Sequence, residues 1–175
     1  MVKKLIKYIE IEEFKKILKA EKDKKYKLIY ALAFGSGLRI SEIVGPAKNS
    51  NQEIKPLTQR QINLTAHTIK VFGKGEKERI TNTSPWLNEN NIKLLPLKIN
   101  RRTLEIRFKK ASNKLLGRDL NFHTLRHGWA NYMANVKNLP LPQLQALGGW
   151  SRLDTVGIYT KSNPVKAVEA AYESF

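Results

Sequence analysis

His123 and Arg126 stand three residues apart in His-Thr-Leu-Arg-His, and on a helix that spacing puts both on one face near its N-terminus. The dipole there favours an anion. An arginine fork and an imidazole at such a place can hold a phosphate oxygen and relay a proton. Taken alone the pair is a weak signal, and a solvated helix start is its plainer reading. Arg39, in Gly37-Leu38-Arg39-Ile40-Ser41-Glu42, is a cation between apolar neighbours. Either an external anion matches it, or Glu42 does as an internal ion pair. Lys74, in Gly-Lys-Gly-Glu-Lys-Glu-Arg, is a solvated hairpin tip or a lysine carried into a DNA groove, its two flanking glycines permitting close approach.

Tyr159, in a polar setting, is the candidate nucleophile. A free phenol ionises near pH 10, so only about a thousandth is phenolate at neutral pH. Attack on a phosphodiester therefore needs cations around the phosphate and a proton acceptor close by; Arg39, Arg126 and His123 are of the right types. Core packing is the other reading of a lone tyrosine. Trp150, between a Gly-Gly turn and Ser151, packs or donates its indole N–H to an oxygen.

The charge agrees with a polyanionic partner. Thirty-two Lys and Arg against 15 Asp and Glu leave +17, with a pI of about 10.1, beyond what solubility needs. The charge is also uneven. Residues 93–118 hold nine basic side chains and one acid, Glu105, whereas residues 1–30 mix ten with five. Arg101, Arg102, Lys109 and Lys110 are the candidate DNA-binding residues of that stretch, and nucleic acid is the expected partner. With no cysteine, disulfides, Cys-ligated zinc and thiol nucleophiles are excluded. No apolar run reaches the length of a membrane span, and the N-terminal lysines alternate with acids instead of leading into a signal core. A cytoplasmic, membrane-free protein is expected.

These residues need elements to position them. Ile11, Phe14, Ile17 and Leu18 have helical spacing over 10–20, and a second helix is expected over about 23–34, closed by Gly35 and Gly37. A short third helix, 38–44, ends at Gly45-Pro46; 45–60 reads as a polar surface loop. The period then changes, and Ile62, Leu64, Ile69, Val71, Phe72 and Ile80 predict a small antiparallel sheet over 61–82 with its tight turn at 73–75. Ser84-Pro85 reads as the start of a short helix to about Leu94. Asn100 caps a basic helix, 101–116, with Leu104, Phe108, Ala111 and Leu115 inward and Gly117 as its stop. The next helix, 123–137, turns Leu125, Trp129, Met133 and Val136 to the core. Leu141, Leu144 and Leu147 face inward from a helix opened by Pro140 and Pro142, and short helices near 152–160 and 164–173 close the chain. The fold class is mainly α with a small antiparallel β-sheet (α+β), one domain over 1–175.

Taken together, GLRISE at 37–42, GKGEKER at 73–79, HTLRHGWA at 123–130 and LGGWS-to-IYTK at 147–161 resemble, in order and spacing, the tyrosine recombinase (phage integrase) family, specifically its C-terminal catalytic domain. The resemblance runs from about residue 11 to the last helix. It implies that Arg39 and Arg126 clamp the scissile phosphate and that Lys74 protonates the leaving 5′ oxygen. It also implies that His123 accepts a proton and binds phosphate, that Trp150 stands where most relatives have histidine, and that Tyr159 attacks. Glu42 and His127 take supporting positions. The implied reaction makes a 3′-phosphotyrosyl bond and a free 5′-hydroxyl, then rejoins strands within a tetrameric synapse on double-stranded DNA. The free protein can be monomeric. It needs no cofactor, no ATP and no divalent metal. A type IB topoisomerase activity and a DNA-binding module that does not cleave are the alternatives. Relatives usually carry a separate N-terminal DNA-clamping domain, and no stretch of this sequence corresponds to it. Loop 45–60 is longer than the compact connection of relatives.

Overall fold

The structure, a computed structural model, describes residues 7–47, 50, 54–73 and 78–159. The elements run α1 (Ile11–Ala20), α2 (Lys24–Gly35), α3 (Ile40–Val44), a 3-10 turn (Gln59–Gln61), β1 (Ile62–Asn63), β2 (Thr68–Phe72), β3 (Glu78–Asn82), α4 (Glu89–Ile92), α5 (Arg101–Leu116), α6 (His123–Asn135), α7 (Leu141–Gly148) and α8 (Asp154–Gly157). This is the expected mainly helical fold with one small sheet. No helix among the described residues is long and apolar enough to cross a membrane.

Helix α2 is the centre. Asp23 caps it by accepting from the Lys25 N–H at 2.8 Å, and every residue from Leu28 to Gly35 is buried. A helix apolar on all sides has to be surrounded, and α1, α3, α4 and α6 pack around it. Phe14 stacks on Phe34 with ring centroids 4.2 Å apart, and Trp86 meets Phe14 edge-on at 4.9 Å. Tyr30, Phe108 and Phe122 form a second aromatic group below. Burying each large side chain contributes about 1.5–3 kcal/mol, so this layer anchors the start of α6, whose first flanking residue is Phe122.

The sheet has the order β1-β2-β3, antiparallel throughout, with Ile69 opposite Thr81 and Val71 opposite Arg79. Those four residues share the inner face. Ile80, opposite Lys70, points out and is 49% exposed.

Some expectations shift. The helix expected from Ser84-Pro85 begins at Asn88, whose side chain accepts from the Asn90 and Asn91 N–H groups, while Asn91 answers from its own side chain to the Asn88 N–H. Ser84 is instead buried before it, its hydroxyl accepting from the Trp86 N–H at 3.3 Å. On α5, Leu115 is 38% exposed and Ser112 takes the buried place; on α6, Val136 is 57% exposed and lies past the helix end. In both cases the helical period runs on beyond the core it was expected to face. The helix expected over 152–160 is confined to the four residues of α8, and the one over 164–173 lies outside the described residues.

Candidate active site

Three arginines from three elements end on three consecutive carbonyls. The last turn of a helix leaves its C=O groups without intrahelical partners and carries the negative end of the dipole. At the end of α7, Leu147 O accepts from Arg79 Nε at 2.9 Å, Gly148 O from Arg126 Nη2 at 2.6 Å, and Gly149 O from Arg39 Nη2 at 3.3 Å. Gly149, at φ +64°, supplies the left-handed turn that ends the helix and aims these carbonyls outward.

Each arginine arrives by a different local rule. Arg39 is the residue before α3, fixed because its N–H donates to Glu42 Oε2 at 2.7 Å while Nη1 donates to Oε1 at 2.9 Å. Arg79 sits on the inner face of β3, with only 10% of its side chain exposed. It reaches the same carboxylate through Nη1 at 2.6 Å and Nη2 at 2.9 Å. Burial alone would raise the Glu42 pKa, but the hydrogen bonds and charge of Arg79, with the charge of Arg39, hold it below the usual carboxylate value. Arg126 comes from the second turn of α6 and is 2% exposed. Its Nη1 donates to the carbonyl of Gly37, which Gly37 presents at φ +67°, and its guanidinium lies 4.4 Å from the centre of the Trp150 ring.

The electrostatics do not close. Two guanidinium groups, those of Arg39 and Arg79, share the Glu42 carboxylate, and among the described residues no carboxylate pairs with the third, Arg126, which leaves an excess of two positive charges. Burial first, and the charge of Arg39 second, disfavour its cation, yet a guanidinium does not deprotonate near neutral pH. An anion at this place would remove the imbalance.

Tyr159 follows α8 and is 5% exposed. The polar setting expected for it is corrected: Tyr159 belongs to an apolar cluster with Trp129, Ala130, Leu144 and Val156. Only its ends are polar. Its carbonyl accepts from Asn135 Nδ2 at 2.7 Å, and its hydroxyl hydrogen-bonds to His127 Nδ1. Desolvation pushes the phenol up to about 12, with Arg126 pulling in the opposite sense. Trp150 links the two halves, its ring 5.8 Å from Tyr159 and stacked at 6.1 Å on Trp129. A Cβ on Gly148 would fall 1.8 Å from the Trp150 ring, so glycine is what lets the indole lie there.

His123 opens α6 at the surface, its ring edge-to-face with His127 at 4.5 Å. Partial loss of solvent at its ring, then the neighbouring His127 and the charges of Arg126 and Arg39, keep it below the ordinary histidine range and neutral at pH 7. Arg39, Arg126, Trp150 and Tyr159 thus converge, with Glu42, His123 and His127 around them. Lys74 lies outside the described residues. Gly73 before it lines a cleft of about 690 Å³ together with Arg39, Arg79 and Trp150.

The basic helix is divided. Arg101 and Lys109 line a second cleft, about 440 Å³, that ends at His123 and Arg126. Arg102 and Lys110 are exposed but do not line it. Arg79, the last residue of the Gly-Lys-Gly-Glu-Lys-Glu-Arg segment, is not among the candidates that the sequence suggested. The signal available was the strand's period of two: Arg79 and Thr81 share a face, and Thr81 is buried. Sequence reasoning also missed that His127, not His123, meets the tyrosine.

The phage integrase family model matches residues 7–166. Among curated relatives, tyrosine recombinase XerC of Pseudomonas fluorescens (strain Pf0-1) is 28% identical over 164 residues, covering 83% of this chain and 50% of the relative. Tyrosine recombinase XerD of Pseudomonas aeruginosa is 32% identical over 149 residues, covering 73% of this chain and 46% of the relative. The chain spans about half the length of these relatives. Among solved structures, the XerH site-specific recombinase bound to its difH substrate superposes with a TM-score of 0.73 at 24% identity, over 98% of this chain and 55% of that one. The catalytic domain of bacteriophage HP1 integrase gives 0.61 at 19% identity, over 94% of both chains. At those identities the superpositions speak for the fold. With the family model matching nearly the whole sequence, the chain belongs to the phage integrase family.

Proposed function

We propose that this chain is the catalytic part of a site-specific recombinase that cuts and rejoins double-stranded DNA by tyrosine transesterification. The observation that carries the reading is the buried Arg126 guanidinium, held by two carbonyls and by the face of Trp150, whose ring lies 5.8 Å from that of Tyr159, with no carboxylate of its own among the described residues. A phosphodiester seated between Arg126 and Arg39 supplies the anion that the arrangement lacks. The Tyr159 oxygen then bonds to phosphorus as the bond to the 5′ oxygen breaks, leaving a 3′-phosphotyrosyl link and a 5′-hydroxyl. Lys74 gives the leaving oxygen its proton, His123 holds the phosphate, and the Trp150 indole N–H donates to one of its oxygens. Attack by the 5′-hydroxyl of a partner strand reverses the step. The energy of the broken ester is kept in the adduct, so neither ATP nor a divalent metal is called for.

DNA is the partner, met along the cleft of Arg101 and Lys109, with Arg102 and Lys110 on neighbouring phosphates. Four protomers act together on DNA, and the protein works where its DNA is, in the cytoplasm on nucleoid, viral or plasmid DNA. The whole recombinase includes a further DNA-clamping domain besides this one.

The test is covalent trapping. Wild-type protein and Tyr159→Phe are incubated in EDTA with nicked suicide duplexes and with supercoiled plasmid, then resolved under denaturing conditions. An adduct in wild type alone is expected. Native complexes without any adduct would make the chain a binding module. Relaxation of plasmid at any sequence would make it a topoisomerase.

A further inference from the structure

We infer that His127 holds the Tyr159 hydroxyl at rest and takes its proton when the tyrosine attacks, an assignment that rests on the recombinase reading above. His127 Nδ1 is hydrogen-bonded to the phenol oxygen, with the two ring centroids 5.7 Å apart. His123, the histidine three residues before Arg126, meets the His127 ring and makes no such contact with Tyr159. The proton acceptor that a buried phenol requires is therefore the histidine after the arginine.

The groups facing His127 are His123 and Arg126 from its own helix and Tyr159 from the segment after α8. Burial first, and the Arg126 cation second, hold its pKa below the usual histidine value. At neutral pH it is thus uncharged, and with Nδ1 accepting from the phenol its proton sits on Nε2. Burial, together with that cation, also makes it a reluctant base before substrate binds. An anionic phosphodiester on Arg126 offsets that charge and lets the imidazole accept a proton. The base is therefore switched on by the substrate it serves, and an idle Tyr159 stays a phenol.

The step balances within these groups. The Tyr159 O–H bond breaks and its proton passes to Nδ1. The phenolic oxygen bonds to phosphorus, and the bond from phosphorus to the 5′ oxygen breaks. The leaving oxygen takes its proton from the separate acid of the proposed function. On rejoining, the imidazolium returns its proton to the departing phenolate.

The experiment is single-turnover adduct formation on a nicked suicide duplex with wild type, His127→Ala and His127→Asn, Tyr159→Phe serving as blank. Asparagine keeps an acceptor near the Nδ1 position but cannot take a proton at this pH, and its melting curve checks that the fold survives. Each variant is run on an ordinary duplex and on one with a 5′-bridging phosphorothiolate, whose sulfur leaves without an acid. Both variants are expected to react about 10²-fold more slowly. The loss persists on the phosphorothiolate, and added imidazole restores His127→Ala in proportion to its concentration. Rates within twofold of wild type, a defect erased by the phosphorothiolate, or a folded His127→Ala that imidazole does not rescue would each overturn the assignment and leave the recombinase reading intact. A wild-type chain that gives no adduct on either duplex would overturn both.

Discussion

Glu42 and Arg79, 37 residues apart in sequence, meet through two parallel hydrogen bonds, Nη1 to Oε1 at 2.6 Å and Nη2 to Oε2 at 2.9 Å. The carboxylate is 2% exposed and the guanidinium 10%. The pair joins α3 to β3, and through Leu147 O it also fixes the end of α7. Removing one partner of a buried pair strands the other, which typically costs about 3–5 kcal/mol. Arg39 remains on Glu42 and offsets part of this, so Arg79→Ala is expected to lose about 3 kcal/mol in urea denaturation. Arg79→Lys, lacking the fork, recovers only part of that. A loss below about 1 kcal/mol, the range of exposed pairs, would show that Arg79 does not hold these elements together.

The same carboxylate predicts an acid limb. The folded-state pKa of Glu42 is depressed, so its contribution is complete above the unfolded value near 4.3 and is lost as pH falls through the lower folded value. Glu21, held down chiefly by Arg107, titrates in the same direction and supplies the background. Wild-type Tm should therefore fall more steeply below about pH 4.5 than that of Glu42→Gln, whose Tm is lower at pH 7. Parallel Tm curves from pH 7 down to 3 would contradict the assignment.

Gly37 tests the arginine clamp from its other side. Its φ of +67° disfavours any side chain, and a Cβ there would lie 2.4 Å from the Trp129 ring. Strain in the left-handed region costs about 1–2 kcal/mol, and overpacking against the indole about 1–3 more. Gly37→Ala should therefore lose at least about 2 kcal/mol in denaturant. It should also lower adduct yield among the molecules that remain folded, because its carbonyl positions Arg126. Full stability with full activity would mean that the carbonyl is not needed.

What the sequence made legible followed the range of the interaction. Arg39 with Glu42, and His123 with Arg126, are neighbours on one turn, so spacing alone suggested each pair. Asp23, Asn100 and Gly117 announced helix ends through local capping chemistry. Arg79 reaches Glu42 across 37 residues and Leu147 across 68, and no local rule connects them. The meeting of His127 with Tyr159 depends on how α7 and α8 return the chain to α6, which spacing within either segment does not encode. Leu115 and Val136 show the opposite error, where periodicity continues after the core has ended.

The basic helix α5 makes a prediction about DNA affinity that separates its arginines by their partners. Arg101 and Lys109 line the cleft leading to His123 and Arg126. Lys109 has an ion pair with Asp119 at 3.0 Å, but both groups are more than half exposed, and such a pair is easily exchanged for a phosphate. Arg107 is engaged differently. It donates to Glu21 at 2.9 and 2.6 Å and lies 4.2 Å from the Tyr26 ring centre, so its charge is already answered. Each phosphate contact contributes about 0.9 to the slope of log K against log salt on duplex DNA. Arg101→Ala and Lys109→Ala should each flatten that slope by about this amount, and the double variant by about twice as much. Arg107→Ala should leave the slope unchanged while lowering stability. Fluorescence anisotropy with a duplex of arbitrary sequence, over a series of salt concentrations, measures all four. Equal flattening by Arg107→Ala would show that DNA reads the net charge of the helix and not the cleft.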